Sequence, residues 1–235
     1  KGSAEVLGEE FDRGQLLPVA QREEYLQAVD RVYATRPDWV PVFFDEGILP
    51  WYVGGASFCR FDRGEMRVCF LLRRSFRDRR RWLLYDRNEI ISHEACHVAR
   101  VSMAQRRFEE PLAYALSTSR LRRLFGGMFT GRWEAPAFLG SCMALLGGSV
   151  LDAVGFGTWI RLVSALPLVA VGGGLAAKSL RAVSALRRAR RYLRPVFGDN
   201  AAAVMFRCSD AEIEALVSAA REGRSVVEWQ SGLLR

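Results

Sequence analysis

Residues 93–97 read H-E-A-C-H, an H-E-x-x-H stretch that uses the only two histidines of the 235-residue sequence. On a helix, residues four apart lie on one face, so His93 and His97 can direct both imidazoles at a single Zn²⁺ ion. Glu94 lies beside that face, where it can take a proton from a water whose pKa zinc lowers to about 7. The spacing therefore predicts metal-assisted hydrolysis. The alternative is a pair of structural histidines on a half-buried helix.

A catalytic zinc ion needs a third protein ligand, and the first acidic residues after the motif are Glu109 and Glu110. A continuous helix would carry Glu109 about 18 Å from His97, at a rise of 1.5 Å per residue. The chain must therefore turn, and the polar stretch that follows residues 103–104 allows it to do so there. Such a turn brings both glutamates level with His97, so both are candidate ligands.

The motif, followed by E-P-L-A at residues 110–113, resembles the gluzincin metallopeptidases over roughly residues 85–118. Those are zinc proteases with two motif histidines and a glutamate ligand from a following helix. The resemblance implies three zinc ligands: His93, His97 and Glu110. It also implies that Glu94 is the catalytic base and acid. This chain departs from the family pattern at Pro111, which disfavours helical geometry at the preceding residue.

Because of that proline, Glu109 remains the alternative ligand. The glutamate that is not a ligand would then lie just outside the ligand set, paired with Arg100 or Arg106. Tyr114 follows Glu110 by one helical turn and could donate a hydrogen bond to the oxyanion of a tetrahedral intermediate. The alternative for Tyr114 is an aromatic side chain packed in the core.

Several elements must position these residues. Apolar residues at helical spacing predict a helix over residues 21–36, and Asp86 or Asn88 can cap the motif helix. Residues 58–72 predict a β-hairpin with its turn at 62–65, as part of a small antiparallel sheet. The expected fold is α+β and mainly helical, with a gluzincin-like catalytic domain in which this sheet accompanies the motif helix and a ligand helix.

Two stretches without a charged residue follow, 135–151 and 162–177. Each is near the minimum length for crossing a bilayer, and their glycines permit close helix packing. Arginines flank the pair on both outer sides, whereas the connecting loop carries only Asp152 and Arg161. By the positive-inside rule, we expect a two-helix transmembrane hairpin with the catalytic domain on the cytoplasmic side. The alternative is a buried helical pair of a soluble protein.

The composition supports the same view. Lys and Arg number 34 against 26 Asp and Glu, a formal charge of +8. Arginines beside the uncharged stretches favour a lipid bilayer over nucleic acid as the partner. The arginine cluster within residues 73–81 fits a solvated loop, a membrane contact or a nucleic-acid patch.

The five cysteines include no C-x-x-C pair, which indicates a reducing compartment. Cys96 is expected to be a buried thiol. No secretory signal peptide is visible in the sequence.

We expect three units: a zinc metallopeptidase domain (1–133), the transmembrane hairpin (134–180) and a cytoplasmic C-terminal segment docked on the catalytic domain (181–235). Residues 4–19 show little periodicity and are expected to be an irregular lead-in. Residues 202–206 predict a short strand, and S-x-x-E at 209–212 predicts a helix that Gly223 ends. The C-terminal unit also holds three more distant candidate ligands: Asp199, Asp210 and Glu212.

These features together predict a membrane-anchored zinc metalloendopeptidase that cleaves protein or peptide substrates, either membrane proteins or juxtamembrane segments. Zn²⁺ would be its cofactor. The competing hypothesis is a non-catalytic membrane adaptor with a structural or vestigial zinc site. A third hypothesis is a soluble helical protein that binds nucleic acid. The sequence indicates neither the physiological substrate nor an oligomeric state.

Overall fold

The computed structural model describes residues 3–6, 9–12, 15–45, 47, 49–50, 53–62, 65–82, 85–103, 105–227 and 229. The helices in this part of the chain are α1 (Val19–Tyr33), α2 (Ser75–Asp78), α3 (Arg87–Arg100), α4 (Glu109–Tyr114), α5 (Arg120–Phe125), α6 (Glu134–Leu151), α7 (Thr158–Phe197), α8 (Ala201–Phe206) and α9 (Asp210–Glu222). The strands are β1 (Ser3–Val6), β2 (Glu9–Asp12), β3 (Val42–Phe44), β4 (Gly55–Asp62), β5 (Glu65–Leu72), β6 (Arg81–Trp82) and β7 (Tyr85–Asp86). The fold is mainly helical with a small sheet, as predicted.

The motif helix α3 lies at the centre of the core. The Asp86 carboxylate accepts a hydrogen bond from the backbone N–H of Asn88 at 2.9 Å, so Asp86 is the cap. Glu89 lies in the first turn, where the helix dipole favours a negative charge. The helix buries an apolar face against α1 and the sheet: Ile90, Ile91, Ala95, Cys96 and Val98. Cys96 is fully buried, as expected.

The sheet has the strand order β3-β5-β4. Strands β4 and β5 form the predicted hairpin, with Phe58 opposite Cys69; the turn residues Arg63 and Gly64 lie outside the described residues. β3 pairs in parallel with β5, so the expectation of a purely antiparallel sheet is wrong. Every residue of β3 is buried, as is usual for a parallel strand with both faces covered. β4 is left as an edge strand.

The N-terminal stretch also differs from the prediction. Within residues 4–19, expected to be irregular, β1 and β2 pair as a two-stranded antiparallel sheet. Charged residues such as Glu9 and Glu10 interrupt any alternation there, so hydrophobic periodicity does not reveal the pair.

Helix α1 supports both α3 and α4. The Ser92 hydroxyl of α3 donates to the carbonyl of Tyr25 at 2.9 Å, and the Tyr33 hydroxyl donates to the carbonyl of Leu112 in α4 at 2.7 Å. The helix ends at Tyr33, a turn earlier than predicted, because Ala34 takes a left-handed conformation with φ of 47°. Helix α1 therefore links the motif helix to the helix that carries both candidate glutamates.

Two helical segments, Glu134–Phe156 and Thr158–Phe206, are long and apolar enough to cross a membrane by length and composition. Only 11% and 6% of their most apolar windows is buried within the chain, whereas the core helix of a soluble protein would be mostly buried. Gly148 allows the close crossing of α6 and α7, since a Cβ atom there would lie 1.7 Å from Ser164 Oγ. These features favour the membrane hairpin over a buried helical pair.

Helix α7 does not end with its uncharged stretch. It runs without interruption to Phe197, so the unit boundary predicted at residue 180 falls inside a continuous helix. Beyond that point Leu186, Ala189 and Leu193 form a buried stripe at helical spacing against the main core. One continuous helix thus joins the apolar segment to the domain that holds the motif.

The C-terminal segment docks on this core, mainly through α8 and α9. The prediction of a strand over residues 202–206 is wrong, because these residues belong to helix α8. Three consecutive alanines, Ala201 to Ala203, favour helix more strongly than the apolar alternation after them favours strand. The predicted capping box of Ser209 and Glu212 and the helix end at Gly223 are both confirmed.

Candidate metal centre

His93, His97 and Glu110 bring three ligand atoms together. The Nε2 atoms of the two histidines lie 3.0 Å apart. The Glu110 carboxylate places one oxygen 3.5 Å from His93 Nε2 and the other 3.5 Å from His97 Nε2. These three residues could hold a metal ion. They are the same three that the family resemblance implies.

Glu109 occupies a different position. Its Oε1 atom lies 2.8 Å from His97 Nδ1, on the far side of that ring from Nε2. A carboxylate only accepts hydrogen bonds, so Nδ1 donates, and Nε2 keeps a lone pair directed at the ligand group. Glu109 therefore supports a ligand and lies outside the ligand group. Its partner is His97, where Arg100 or Arg106 was expected.

The chain turns between the motif helix α3 and helix α4, as the spacing between His97 and the two glutamates required. After α3 ends at Arg100, a 3-10 turn covers Val101–Met103, and α4 begins at Glu109; Ala104 itself lies outside the described residues. The Asp210 carboxylate accepts backbone N–H groups from Arg106 at 3.2 Å and Arg107 at 2.8 Å. Asp210, a distant candidate ligand by sequence, thus fixes the loop that leads into α4. Neither Asp199 nor Glu212 joins the ligand group found among the described residues.

Pro111 does not prevent this arrangement. It lies in the first turn of α4, where a backbone N–H has no helical partner to lose. Gly127 packs closely behind it, since a Cβ atom there would lie 3.2 Å from the Cβ of Glu110 and 3.0 Å from the Pro111 ring. Close packing of this kind holds Glu110 in place.

A backbone group of the sheet holds the carboxylate of Glu94 in position. Its Oε2 atom accepts the backbone N–H of Ser57, on the edge strand β4, at 2.8 Å. Burial raises the pKa of Glu94, although His97 and the Ser57 hydrogen bond oppose that change. A carboxylate with a raised pKa beside the ligand group suits a residue that must accept a proton and release it again.

The pKa values of the two histidines are shifted in opposite directions. Burial and the nearby His97 lower the pKa of His93 to about 3, which leaves His93 neutral at physiological pH. Burial also acts to lower the pKa of His97, but the Glu109 hydrogen bond and the charge of Glu110 outweigh it and raise that pKa. Burial raises the pKa of Glu110 as well. Neutral imidazoles and a carboxylate form the donor set that zinc favours.

Tyr114 lies against this group. Its ring contacts the His93 ring edge-on, with centroids 4.5 Å apart, and burial raises its pKa to about 12. Gly126 makes room for the ring, since a Cβ atom there would lie 2.3 Å from it. Tyr114 also lines a cleft of about 720 Å³ together with His93 and Glu94. Tyr114 is therefore only partly buried, and it lies close to the candidate reaction centre.

Sequence reasoning missed the polar cluster at one end of the cleft. The Glu89 carboxylate accepts hydrogen bonds from Ser117 Oγ at 2.7 Å and from the Thr118 backbone N–H at 2.6 Å. It also pairs with Arg122 at 2.6 Å. Burial acts to raise the pKa of Glu89, but these hydrogen bonds and the Arg122 charge bring it below its ordinary value. Only the position of Glu89 in the first helical turn was visible in the sequence.

Part of the arginine cluster within residues 73–81 is structural. Arg73 is buried, donates to the carbonyl of Pro50 at 3.0 Å and lies over the Trp82 ring. Arg80 pairs with the helix cap Asp86 at 2.9 Å. These two arginines therefore stabilise the entry to the motif helix, while the others in the cluster are exposed.

Comparison of the chain with protein-family models, with curated proteins and with solved structures gives no match. What this chain does is therefore inferred from the geometry of its own residues.

Proposed function

We propose that this protein is a membrane-anchored zinc metalloendopeptidase of gluzincin type. The observation that carries the proposal is the convergence of His93, His97 and Glu110 next to an open cleft that His93 and Glu94 line. Their spacing supports zinc. Ligand atoms held tetrahedrally at 2.0–2.1 Å from one ion lie about 3.3 Å apart. The observed separations of 3.0, 3.5 and 3.5 Å bracket that value.

The remaining residues suit the roles that peptide hydrolysis requires. Zinc, when bound, supplies a Lewis acid and lowers the pKa of water to about 7. Glu94 accepts the proton of the attacking water and passes it to the leaving amine, with Ser57 holding its carboxylate in position. Tyr114 donates its hydroxyl hydrogen to the oxyanion that develops on the scissile carbonyl. Glu109 keeps the imidazole of His97 oriented.

The surroundings of the cleft support a substrate at the membrane surface. Phe129 lines the cleft and contacts Phe138 of α6, with ring centroids 5.7 Å apart. The cleft therefore adjoins the base of the hairpin. A peptide segment that emerges from the bilayer next to α6 is the substrate we propose. The arginines that flank α6 and the apolar part of α7 support a cytoplasmic location for this site.

Cleavage of a proteome-derived peptide library by the full-length protein in detergent, loaded with zinc, tests the proposal. We expect cleavage by the parent and its loss by about 10²-fold or more in Glu94→Gln, with the zinc content unchanged. Glu24→Gln, an exposed change of the same type, is the matched control and should cleave like the parent. Absence of bound zinc, or the same products from parent and Glu94→Gln, would overturn the proposal and favour the non-catalytic adaptor.

A further inference from the structure

A second cavity, of about 440 Å³, borders α4 on another face from the cleft. Pro111, Leu112 and Ala115 line this cavity, whereas Ala113 and Tyr114 line the cleft. Its size lies within the range of small-molecule sites, about 300–1,000 Å³. The proposed peptidase activity gives this cavity no role.

Four arginines line the cavity in two pairs. Arg120 and Arg123 belong to α5, and Arg187 and Arg190 belong to α7. Residues three apart share a helix face, so each helix directs one pair of guanidinium groups to the same space. Helices α5 and α7 are joined locally by the Ser179 hydroxyl, which donates to the Leu124 carbonyl at 2.6 Å. The two pairs thus stand on a fixed frame.

These guanidinium groups have no acidic counterpart. The residues that line the cavity include no Asp or Glu. Among the described side chains, none of the four arginines forms an ion pair, although Arg122 between them on α5 pairs with Glu89. Four like charges around one cavity repel each other, and a bound anion would relieve that repulsion.

The part of the cavity wall that the arginines do not form is apolar. Tyr33, Leu112, Leu186 and Met205 are buried and line it. The hydroxyl of Tyr33 is already engaged with the Leu112 carbonyl, so this wall presents carbon to an occupant. An occupant that matches both parts has an anionic head and an apolar body.

We propose that this cavity binds a phosphate ester whose organic part is apolar. A phosphate group offers several acceptor oxygens to guanidinium groups, which bind it in a bidentate manner. Two sources share this chemistry: an anionic phospholipid or a soluble phosphate ester. The α7 lining runs from Val183 to Arg190, about 9 to 20 Å of helix beyond the end of the uncharged stretch at Ala177, so the cavity begins near the expected headgroup layer and extends away from it. The proposal is independent of peptidase activity.

Binding to the full-length protein in neutral maltoside detergent tests this site, measured by native mass spectrometry. The probes are dioctanoyl phosphatidic acid, hexyl phosphate (a soluble ester with an apolar organic part) and dioctanoylglycerol. We expect saturable binding of one phosphatidic acid, weakened about tenfold or more by the double change Arg187→Gln and Arg190→Gln. The matched control changes Arg188 and Arg191 to Gln; both are exposed on the same helix, remove the same charge and do not line the cavity.

The probes distinguish the two possible sources of the phosphate ester. Binding of phosphatidic acid alone identifies a lipid, and equal binding of hexyl phosphate with the same arginine dependence identifies a soluble ester. The double change Arg120→Gln and Arg123→Gln on α5 should weaken binding as much as the α7 double change does. This result would exclude the explanation that the α7 substitutions weaken binding only by damaging α7. Equal weakening by the control pair, equal binding of uncharged dioctanoylglycerol, or no saturable binding of either phosphate probe would overturn the proposal.

Discussion

Oε1 of Glu109 lies 2.8 Å from Nδ1 of His97, while the adjacent Glu110 reaches the Nε2 atoms of both histidines at 3.5 Å. Successive residues of a helix point about 100° apart, so neighbouring glutamates on α4 can serve one imidazole from two sides. One glutamate completes the ligand group and the other fixes the orientation of a ligand.

This division of roles predicts unequal effects on metal binding. Glu110→Ala removes a ligand and should abolish measurable zinc binding in a competition with a chromophoric chelator. Glu109→Ala removes only the support of His97 and should weaken zinc binding about 10–100-fold. Glu109→Gln, which keeps an acceptor oxygen for Nδ1–H, should lie between Glu109→Ala and the parent. Tight zinc binding by Glu110→Ala, with loss in Glu109→Ala, would reverse the assignment.

Tyr114→Phe tests the role of a hydroxyl without changing how the ring packs on His93. If the hydroxyl binds an oxyanion, kcat should fall about 10–10³-fold while KM and zinc affinity stay near those of the parent. Tyr85→Phe is the control, since Tyr85 also lines the cleft. Steady-state kinetics on one cleaved library peptide provide the measurement. A change in KM alone would assign Tyr114 to substrate binding.

The polar cluster at Glu89 predicts sensitivity to acid. Because the pKa of Glu89 in the folded protein lies below its ordinary value of 4.5, its ionised form stabilises the fold above that value. That contribution is lost as the pH falls through the folded pKa. The thermal unfolding midpoint should therefore decline as the pH falls below the ordinary carboxyl range, and Glu89→Gln should show a smaller decline from a lower starting value. Glu24→Gln should follow the parent, and a Glu89→Gln profile parallel to the parent's would contradict the assignment.

The ligand group was predictable because H-E-x-x-H fixes its own geometry through the four-residue spacing of a helix. The choice between Glu109 and Glu110 was harder, since both follow the same turn and only the direction of α4 separates them. Ser57 and Asp210 act through backbone N–H groups across the fold, and no local pattern marks such contacts. The strand predicted over residues 202–206 failed for a related reason, because a short apolar alternation fits either a strand or a packed helix.

The hairpin was visible in the sequence, while the length of α7 was not. A run of arginines after Ala177 predicts the end of a membrane span, but the buried stripe of Leu186, Ala189 and Leu193 lies among those arginines and continues the helix. Charge predicts where the bilayer ends, and apolar spacing predicts where the helix continues. The two patterns have to be considered separately.

The proposed sidedness predicts different labelling of two engineered cysteines. In a background with Cys59→Ser and Cys142→Ala, an Ala153→Cys change lies in the exposed π-helical turn between α6 and α7. It should react with a membrane-impermeant maleimide on intact cells. Ser184→Cys, exposed on α7 beyond the apolar stretch, should react only after permeabilisation. The opposite pattern would place the metal centre outside the cell.

Asp210 links the C-terminal helix to the metal centre. It accepts the backbone N–H groups of Arg106 and Arg107, and its own N–H donates to Gln105 Oε1 at 3.0 Å. Asp210→Ala leaves those donors without their acceptor and should lower the free energy of unfolding by about 1–3 kcal/mol. Because residues 105–108 lead directly into α4, zinc affinity should fall as well.

Glu214→Ala provides the comparison for that change. Glu214 pairs with the Arg107 side chain on the surface, where an ion pair contributes about 0–1 kcal/mol and does not fix the backbone. It should therefore leave zinc affinity unchanged. Asp210→Asn keeps one acceptor oxygen and should restore part of both losses. Unaltered zinc affinity in Asp210→Ala, measured at a temperature where the variant is fully folded, would show that α4 holds Glu110 in place without help from α9.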